Sequence, residues 1–157
     1  MPMISPYLWF DDQAQEAAEF YVSVFPRSRI VSVTRYPHGS GEQSGRAMAV
    51  TFELDGLEIQ ALNGGPTRPF TEAISLLVSV ETQEEIDRLW DALTSDGGEP
   101  SQCGWLKDRW GLSWQIVPPV LGELLADPDP QRAGRAIQAM LTMTRLDIAA
   151  LRAAADG

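Results

Sequence analysis

Apolar and polar positions alternate with period two, then recur at the three- and four-residue spacing of a helix, and the chain passes through this succession twice. Ile4, Leu8 and Phe10 alternate with Ser5, Tyr7 and Trp9, which predicts a short strand over residues 3–10. Asp11 and Asp12 offer caps for a helix over 13–25, with Ala17, Phe20, Tyr21, Val24 and Phe25 on its apolar stripe and Pro26 as its stop. A strand over 29–36, a loop over 37–45 and a strand over 46–54 follow, the last with Met48, Val50, Phe52 and Leu54 on one face. Asp55-Gly56 reads as a hairpin turn into a returning strand over 57–62, which Asn63-Gly64-Gly65-Pro66 breaks.

The pattern then restarts. Residues 73–80 read as a buried strand. Residues 82–95 read as a helix with Thr82 and Glu85 as a capping box, a stripe of Ile86, Leu89, Trp90 and Leu93, and Gly97-Gly98 as the end. Short strands around 101–106 and 112–117 come next, stopped by Pro118-Pro119. The remainder differs. Asp127-Pro128-Asp129-Pro130 starts a helix to about 144, and 146–155 reads as another. Ala136, Met140 and Met143 lie near one stripe of this segment, with Ile137, Leu141 and Ile148 beside it. Such a face suits packing on the chain's own modules or across a dimer.

Both halves therefore read strand, helix, then several strands, the signature of a duplication. Gly56-Leu57-Glu58-Ile59-Gln60-Ala61-Leu62 aligns with Gly111-Leu112-Ser113-Trp114-Gln115-Ile116-Val117, so Gln60 and Gln115 correspond. The opening strands align so that Ser5 corresponds to Ser75. The predicted fold class is α+β: two tandem βαβββ modules, curved mixed sheets around a cleft, and a helical C-terminal extension. The expected boundaries within 1–157 are 3–66 and 70–119 for the modules and 120–157 for the extension.

Composition narrows the function classes. Of 157 residues, 22 are acidic and 12 basic, for a net charge of −10. That field repels phosphate backbones, so nucleic acid is not an expected partner. The single cysteine, Cys103, excludes an internal disulfide and a multi-cysteine metal site. No apolar run approaches the roughly 18 residues of a membrane span. The start, Met1-Pro2-Met3-Ile4-Ser5-Pro6, lacks the pattern of a signal peptide, and the expected location is cytoplasmic.

Pro6-Tyr7-Leu8-Trp9-Phe10, Glu19-Phe20-Tyr21, Ala61-Leu62-Asn63-Gly64-Gly65-Pro66, Cys103-Gly104-Trp105-Leu106-Lys107-Asp108 and Gly111 to Pro118 carry a family resemblance, joined by the 127–130 helix start and Ala139-Met140-Leu141. The chain resembles the vicinal-oxygen-chelate superfamily of glyoxalases, extradiol dioxygenases and bleomycin- and fosfomycin-resistance proteins. Within it, the chain resembles the PhnB-like family, often labelled 3-demethylubiquinone-9 3-methyltransferase-like. The resemblance implies sheets curled around a cavity with helices outside, and frequent homodimers. It implies that metal-dependent relatives take ligands from the opening and closing strands of both modules, which here are Ser5, Gln60, Ser75 and Gln115. Two hydroxyls and two neutral amides are poor ligands for a divalent ion, so no bound metal and no cofactor are expected. The only histidine, His38, sits in a glycine-rich loop. That loop, Gly39 to Gly45, lacks the Gly-Lys-Ser/Thr ending of a phosphate loop, and no strand, glycine-rich turn and helix unit for adenosylmethionine is present.

Strand parity puts Ser5, Tyr7 and Trp9 on one face, as it does Ser75, Leu77 and Ser79, Glu58, Gln60 and Leu62, and Ser113, Gln115 and Val117. These mixed faces suit a ligand cleft; a solvated or subunit-covered face is the alternative. Gln60 and Gln115 are candidates to hydrogen-bond a polar molecule, or to bond each other across the pseudo-twofold. Tyr7 offers a phenol, or a packed ring bonded to backbone. Glu58 is the one cleft-face carboxylate, a general base if burial raises its pKa, a solvated group otherwise. Cys103, with Lys107 nearby, is a candidate thiolate or an inert core thiol. Trp105 or Trp110 can line the cleft, whereas parity sends Trp114 into the core. Asn63 ends a strand or faces the cleft mouth. The expected function is metal-free binding of a small organic molecule by a homodimer. The alternatives are an enzyme acting on a small polar substrate, with weakly held or no metal, and a protein acting only through interactions.

Overall fold

A computed structural model describes residues 2–157. It is an α+β fold whose backbone contacts divide it into two units, with the boundary between Phe70 and Thr71.

The first unit holds β1 (Tyr7–Phe10), α1 (Ala14–Val24), β2 (Arg29–Arg35), β3 (Ala47–Leu54) and β4 (Leu57–Asn63). Its sheet runs β1-β4-β3-β2. Strands β1 and β4 are parallel, with Tyr7 opposite Gln60; the other pairs are antiparallel. The Asp55-Gly56 hairpin forms as predicted, both residues at positive φ (48° and 85°), the signature of a primed two-residue turn. Leu8, Phe10, Val50, Phe52, Ile59 and Ala61 pack with Ala17, Ala18 and Tyr21 in the core. Small alanines let α1 approach the sheet while Tyr21 fills the space above Phe52, with ring centroids 6.2 Å apart.

The predicted cap of α1 is corrected. Neither aspartate caps it, because Gln13 occupies the N-cap position without a side-chain bond. Asn63, 49 residues away, does the work: its Oδ1 accepts from Ala14 N–H at 2.8 Å and its Nδ2 donates to the Ala47 carbonyl. A long-range side chain thereby satisfies a helix-end donor that local sequence usually satisfies.

The second unit repeats the order with β5 (Ser75–Ser79), α2 (Gln83–Thr94), β6 (Glu99–Pro100), β7 (Trp105–Lys107) and β8 (Ser113–Val117), its sheet running β5-β8-β7-β6 with β5 and β8 parallel. Thr82 caps α2 by accepting from Glu85 N–H, and Ile86, Leu89, Trp90 and Leu93 are all buried, as predicted. Three expectations are corrected. The strand over 101–106 is two short strands, because Cys103 and Gly104 adopt positive φ (58° and 86°) and turn the chain between them. The strand over 73–80 is not buried, since Ile74 and Leu77 are 66% and 60% exposed. Pro118-Pro119 does more than stop a strand: Pro119 opens α3 (Pro119–Leu125), where its missing N–H costs nothing.

The C-terminal helices α4 (Pro130–Leu141) and α5 (Ile148–Asp156) pack with α3 around Leu121, Leu124, Ala136, Leu146, Leu151 and Ala155. Of the predicted stripe, Ala136 is buried and Met140 and Met143 pack against this cluster, while Ile137 and Leu141 stay exposed. The helices attach to their own module. Met143 and Thr144 carbonyls accept from Cys103 and Gly104 N–H at 2.8 and 2.7 Å. Gln83 donates to Leu146 and accepts from Ile148, and Arg145 pairs with Asp87 and Asp91. Gly104 is required there, since a Cβ would stand 2.9 Å from Leu146 Cδ1 and 3.0 Å from the Ile116 carbonyl oxygen.

Candidate functional site

Each sheet turns its polar groups to the face opposite its helix, and each unit carries its own version of the predicted arrangement. In the first unit Gln60 Nε2 donates to Ser5 Oγ at 3.4 Å. In the second Gln115 Nε2 donates to Ser75 Oγ at 2.9 Å. Each glutamine is thus held through its amide nitrogen by the serine of its own unit. Both pairs are half-buried. One half of each amide is used, and the glutamine carbonyl has no hydrogen-bond partner among the described residues.

Around Gln60, register places Tyr7 on one side and Thr51 on the other. Tyr7 is 53% exposed on the edge strand. Glu58 lies one alternation along β4, half-buried and paired in register with Glu53. Glu53 is bound by Arg29 in a two-pronged contact at 3.0 and 3.1 Å, whereas the Glu58 carboxylate has no hydrogen bond or ion pair among the described residues. Asn63 is committed to α1 and β3. It also borders a cavity of about 780 Å³ at the carboxyl ends of β1 and β4, whose other charged walls are Asp11, Asp12 and Arg46. Alternation carried no sign of this cavity, because its residues come from loops and from the ends of α1, β3 and β4.

Around Gln115, register places Leu77 on one side and Trp105 on the other; the adjoining row is Ser75, Ser113, Lys107 and Glu99. Trp105, Cys103, Lys107 and Ser113 border a second cavity of about 380 Å³, with Glu72 at its edge. Lys107 Nζ sits 2.6 Å from Glu72 Oε1, and this carboxylate, reinforced by Glu99, raises the Lys107 pKa above its ordinary value. Lys107 is therefore committed to carboxylates. Cys103 is half-buried, its backbone N–H fixed by Met143. Of the two candidate tryptophans, Trp105 forms the wall; the Trp110 ring lies 5.2 Å from the Arg109 guanidinium. Trp114 is buried, as parity predicts.

Two residues that shape this region are not among the sequence candidates, although strand parity places Ser113 on the mixed face with Gln115. Asp108 is 2% exposed and accepts from Trp110 N–H, Leu112 N–H and Trp114 Nε1–H, which fixes the turn between β7 and β8. Its place between two tryptophans was visible, but a carboxylate in a turn normally signals solvent. Ser113 stands on the cleft face beside Lys107; only the register reveals that neighbour.

The donor set does not fit a resident divalent metal. Among the described residues no group of three or more His, Cys, Asp or Glu side chains is arranged to hold one. The serines and glutamines bring no charge to offset ion dehydration. Among the described residues no helix is long and apolar enough to cross a membrane.

Residues 2–117 match a family model described as 3-demethylubiquinone-9 3-methyltransferase. The PhnB protein from Bacillus cereus is 34% identical and superposes with a TM-score of 0.68 over 74% of this chain and 99% of its own. Protein PA1353 from Pseudomonas aeruginosa is 20% identical, with a TM-score of 0.62 over 75% of this chain and 98% of its own. The fosfomycin resistance protein FosX from Listeria monocytogenes is 14% identical, with a TM-score of 0.53 over 78% and 97%. The last two likenesses concern the fold alone. No curated protein matches the chain.

Proposed function

Because the chain belongs to the PhnB-like family described as 3-demethylubiquinone-9 3-methyltransferase, within the vicinal-oxygen-chelate superfamily, we propose that it binds a small organic molecule on the mixed faces of its sheets without a divalent metal. The observation that carries this reading is the pair of serine–glutamine contacts at repeat-related positions, each leaving half of an amide for a polar ligand. A hydrogen-bonding amide on a half-buried strand face orients a small molecule without holding an ion. The methyl-transfer chemistry in the family description is not carried over. Each sheet has one parallel pair, so neither is the parallel sheet with crossover helices that such a cofactor fold uses.

The test is a thermal-shift screen of small polar organic compounds against the wild-type chain and the Gln60→Leu and Gln115→Leu variants. Binding raises the melting temperature by mass action, and the stabilisation is expected to fall in a variant whose amide is used. Product formation by any hit would turn the reading toward an enzyme, with Tyr7, Glu58 and Cys103 the next residues to replace. Stoichiometric, sub-micromolar zinc or manganese binding by calorimetry would remove the metal-free reading.

We also propose a homodimer. Apolar Ile4 and Tyr7 are exposed in the first unit and Ile74 and Leu77 in the second, each set on or beside an edge strand. Light scattering at micromolar concentration is expected to give about twice the chain mass of 17.3 kDa.

A further inference from the structure

Among the described residues, the second unit contains a buried hydroxyl without a partner. Ser113 is 1% exposed, and its Oγ has no hydrogen-bond partner among the described residues. A buried hydroxyl left alone is unfavourable, so its surroundings matter. They are the cavity of about 380 Å³ bounded by Cys103, Trp105, Leu106 and Lys107, with Glu72 at the edge. This volume is at the small end for organic ligands.

The lining specifies the chemistry. Its two charges compensate each other, since Lys107 and Glu72 are 2.6 Å apart. An anion would have to displace Glu72 while facing Glu99, the register partner of Lys107. A cation would compete with Lys107 for Glu72. Neither sign is favoured; Ser101 and Gln102 also line the cavity, and the Ser113 hydroxyl is the buried polar group of the lining without a partner among the described residues. The Trp105 indole and the Cys103 thiol supply the apolar surface, while the Leu106 side chain, paired with Trp114, faces the core. The walls are held in place, because Met143 and Thr144 bind the Cys103-Gly104 backbone and β8 pairs with β7 behind it.

We propose that this cavity binds a neutral, flat, mainly apolar molecule of one or two rings with a single carbonyl or hydroxyl group, which bonds Ser113 Oγ once the side chain rotates toward the cavity, while the ring lies against Trp105. The proposal deepens the small-molecule reading by naming a ligand class. It uses Ser113 and not the serine–glutamine pairs, so the two readings fail separately.

Acetophenone, ethylbenzene, benzoate and benzylamine are the probes, each titrated into isotope-labelled protein while backbone amide shifts are followed by NMR. Acetophenone is expected to shift the amides of Cys103 to Lys107 and of Ser113. It is expected to bind about threefold to tenfold more tightly than ethylbenzene, the increment of one hydrogen bond. Benzoate and benzylamine are expected to bind more weakly than acetophenone. Ser113→Ala removes a hydroxyl with no partner, so its melting temperature is expected to be unchanged or raised while the preference for acetophenone over ethylbenzene disappears. Ser113→Val, which fills the cavity floor, is expected to weaken both neutral probes. Acetophenone is expected to slow alkylation of Cys103 by iodoacetamide. Gln115→Leu is expected to retain acetophenone binding, whatever it does to compounds held by the amide. The proposal is overturned by no binding at millimolar concentration, by shifts centred elsewhere, by tighter binding of either charged probe, or by a preference that survives in Ser113→Ala. A marked fall in the melting temperature of Ser113→Ala would also overturn it, by revealing a structural partner for the hydroxyl.

Discussion

The two units share a strand order and differ in what braces it. In the first, α1 is capped by Asn63 across 49 residues, and the same side chain grips β3. In the second, α2 is capped three residues away by Thr82, and the sheet is braced by the buried Asp108 and by helices α3 to α5. The strands differ accordingly. β3 and β4 have eight and seven residues, while their counterparts β7 and β8 have three and five. Short strands form few ladder bonds, and the second unit makes up the difference with a buried carboxylate and an added helical core. A duplicated topology thus tolerates different bracing, provided that each sheet still has one face covered.

Substitutions can break this comparison in order of severity. Asp108→Ala should have the largest effect, about 3–5 kcal/mol in urea unfolding, because three donors including the Trp114 indole lose a charged acceptor in a buried site. A loss under 1 kcal/mol would show that the turn holds without it. Asn63→Ala should cost about 2 kcal/mol, the sum of a lost cap and a lost bond to Ala47. Thr82→Ala should cost about 1 kcal/mol, since only the local cap goes. Equal losses for Asn63→Ala and Thr82→Ala would remove the distinction between long-range and local bracing.

The smallest effects concern pH, and they fall on the second unit. The backbone N–H of Asp129, then Arg132, holds the Asp127 carboxyl below its ordinary value of 3.8. The associated stability is present above 3.8 and disappears as pH falls through the lowered folded value. The melting-temperature difference between wild type and Asp127→Ala should therefore close in acid. Lys107 is shifted the other way by Glu72, so its contribution is present below its ordinary 10.5 and lost as pH rises through the raised folded value. The melting-temperature difference between wild type and Glu72→Gln should narrow as pH rises through that value. Both groups remain partly open to solvent, and salt should shrink both differences.

Much of this was legible along the chain. Alternation assigned Leu8, Phe10, Ile59, Ala61, Trp114 and Ile116 to the buried faces, and all six are buried. The capping box at Thr82 and the turn at Asp55-Gly56 were readable because their partners lie within four residues. The predicted candidates Ser75, Trp105 and Gln115 fall on one face of one sheet, and Ser5, Tyr7, Glu58 and Gln60 on one face of the other.

What periodicity determined was which side of each strand or helix avoids water, because that depends only on spacing. What it left undecided was which group stands opposite. The Asn63 cap, the Asp108 acceptor, the pairing of each glutamine with its own serine and the isolation of Ser113 depend on strand register and loop path. These link positions far apart in the chain, and the tertiary structure alone decided them. The C-terminal helices make the same point: their amphipathic stripe announced a buried face, but only the hydrogen bonds from Cys103, Gly104 and Gln83 established that the second unit receives it.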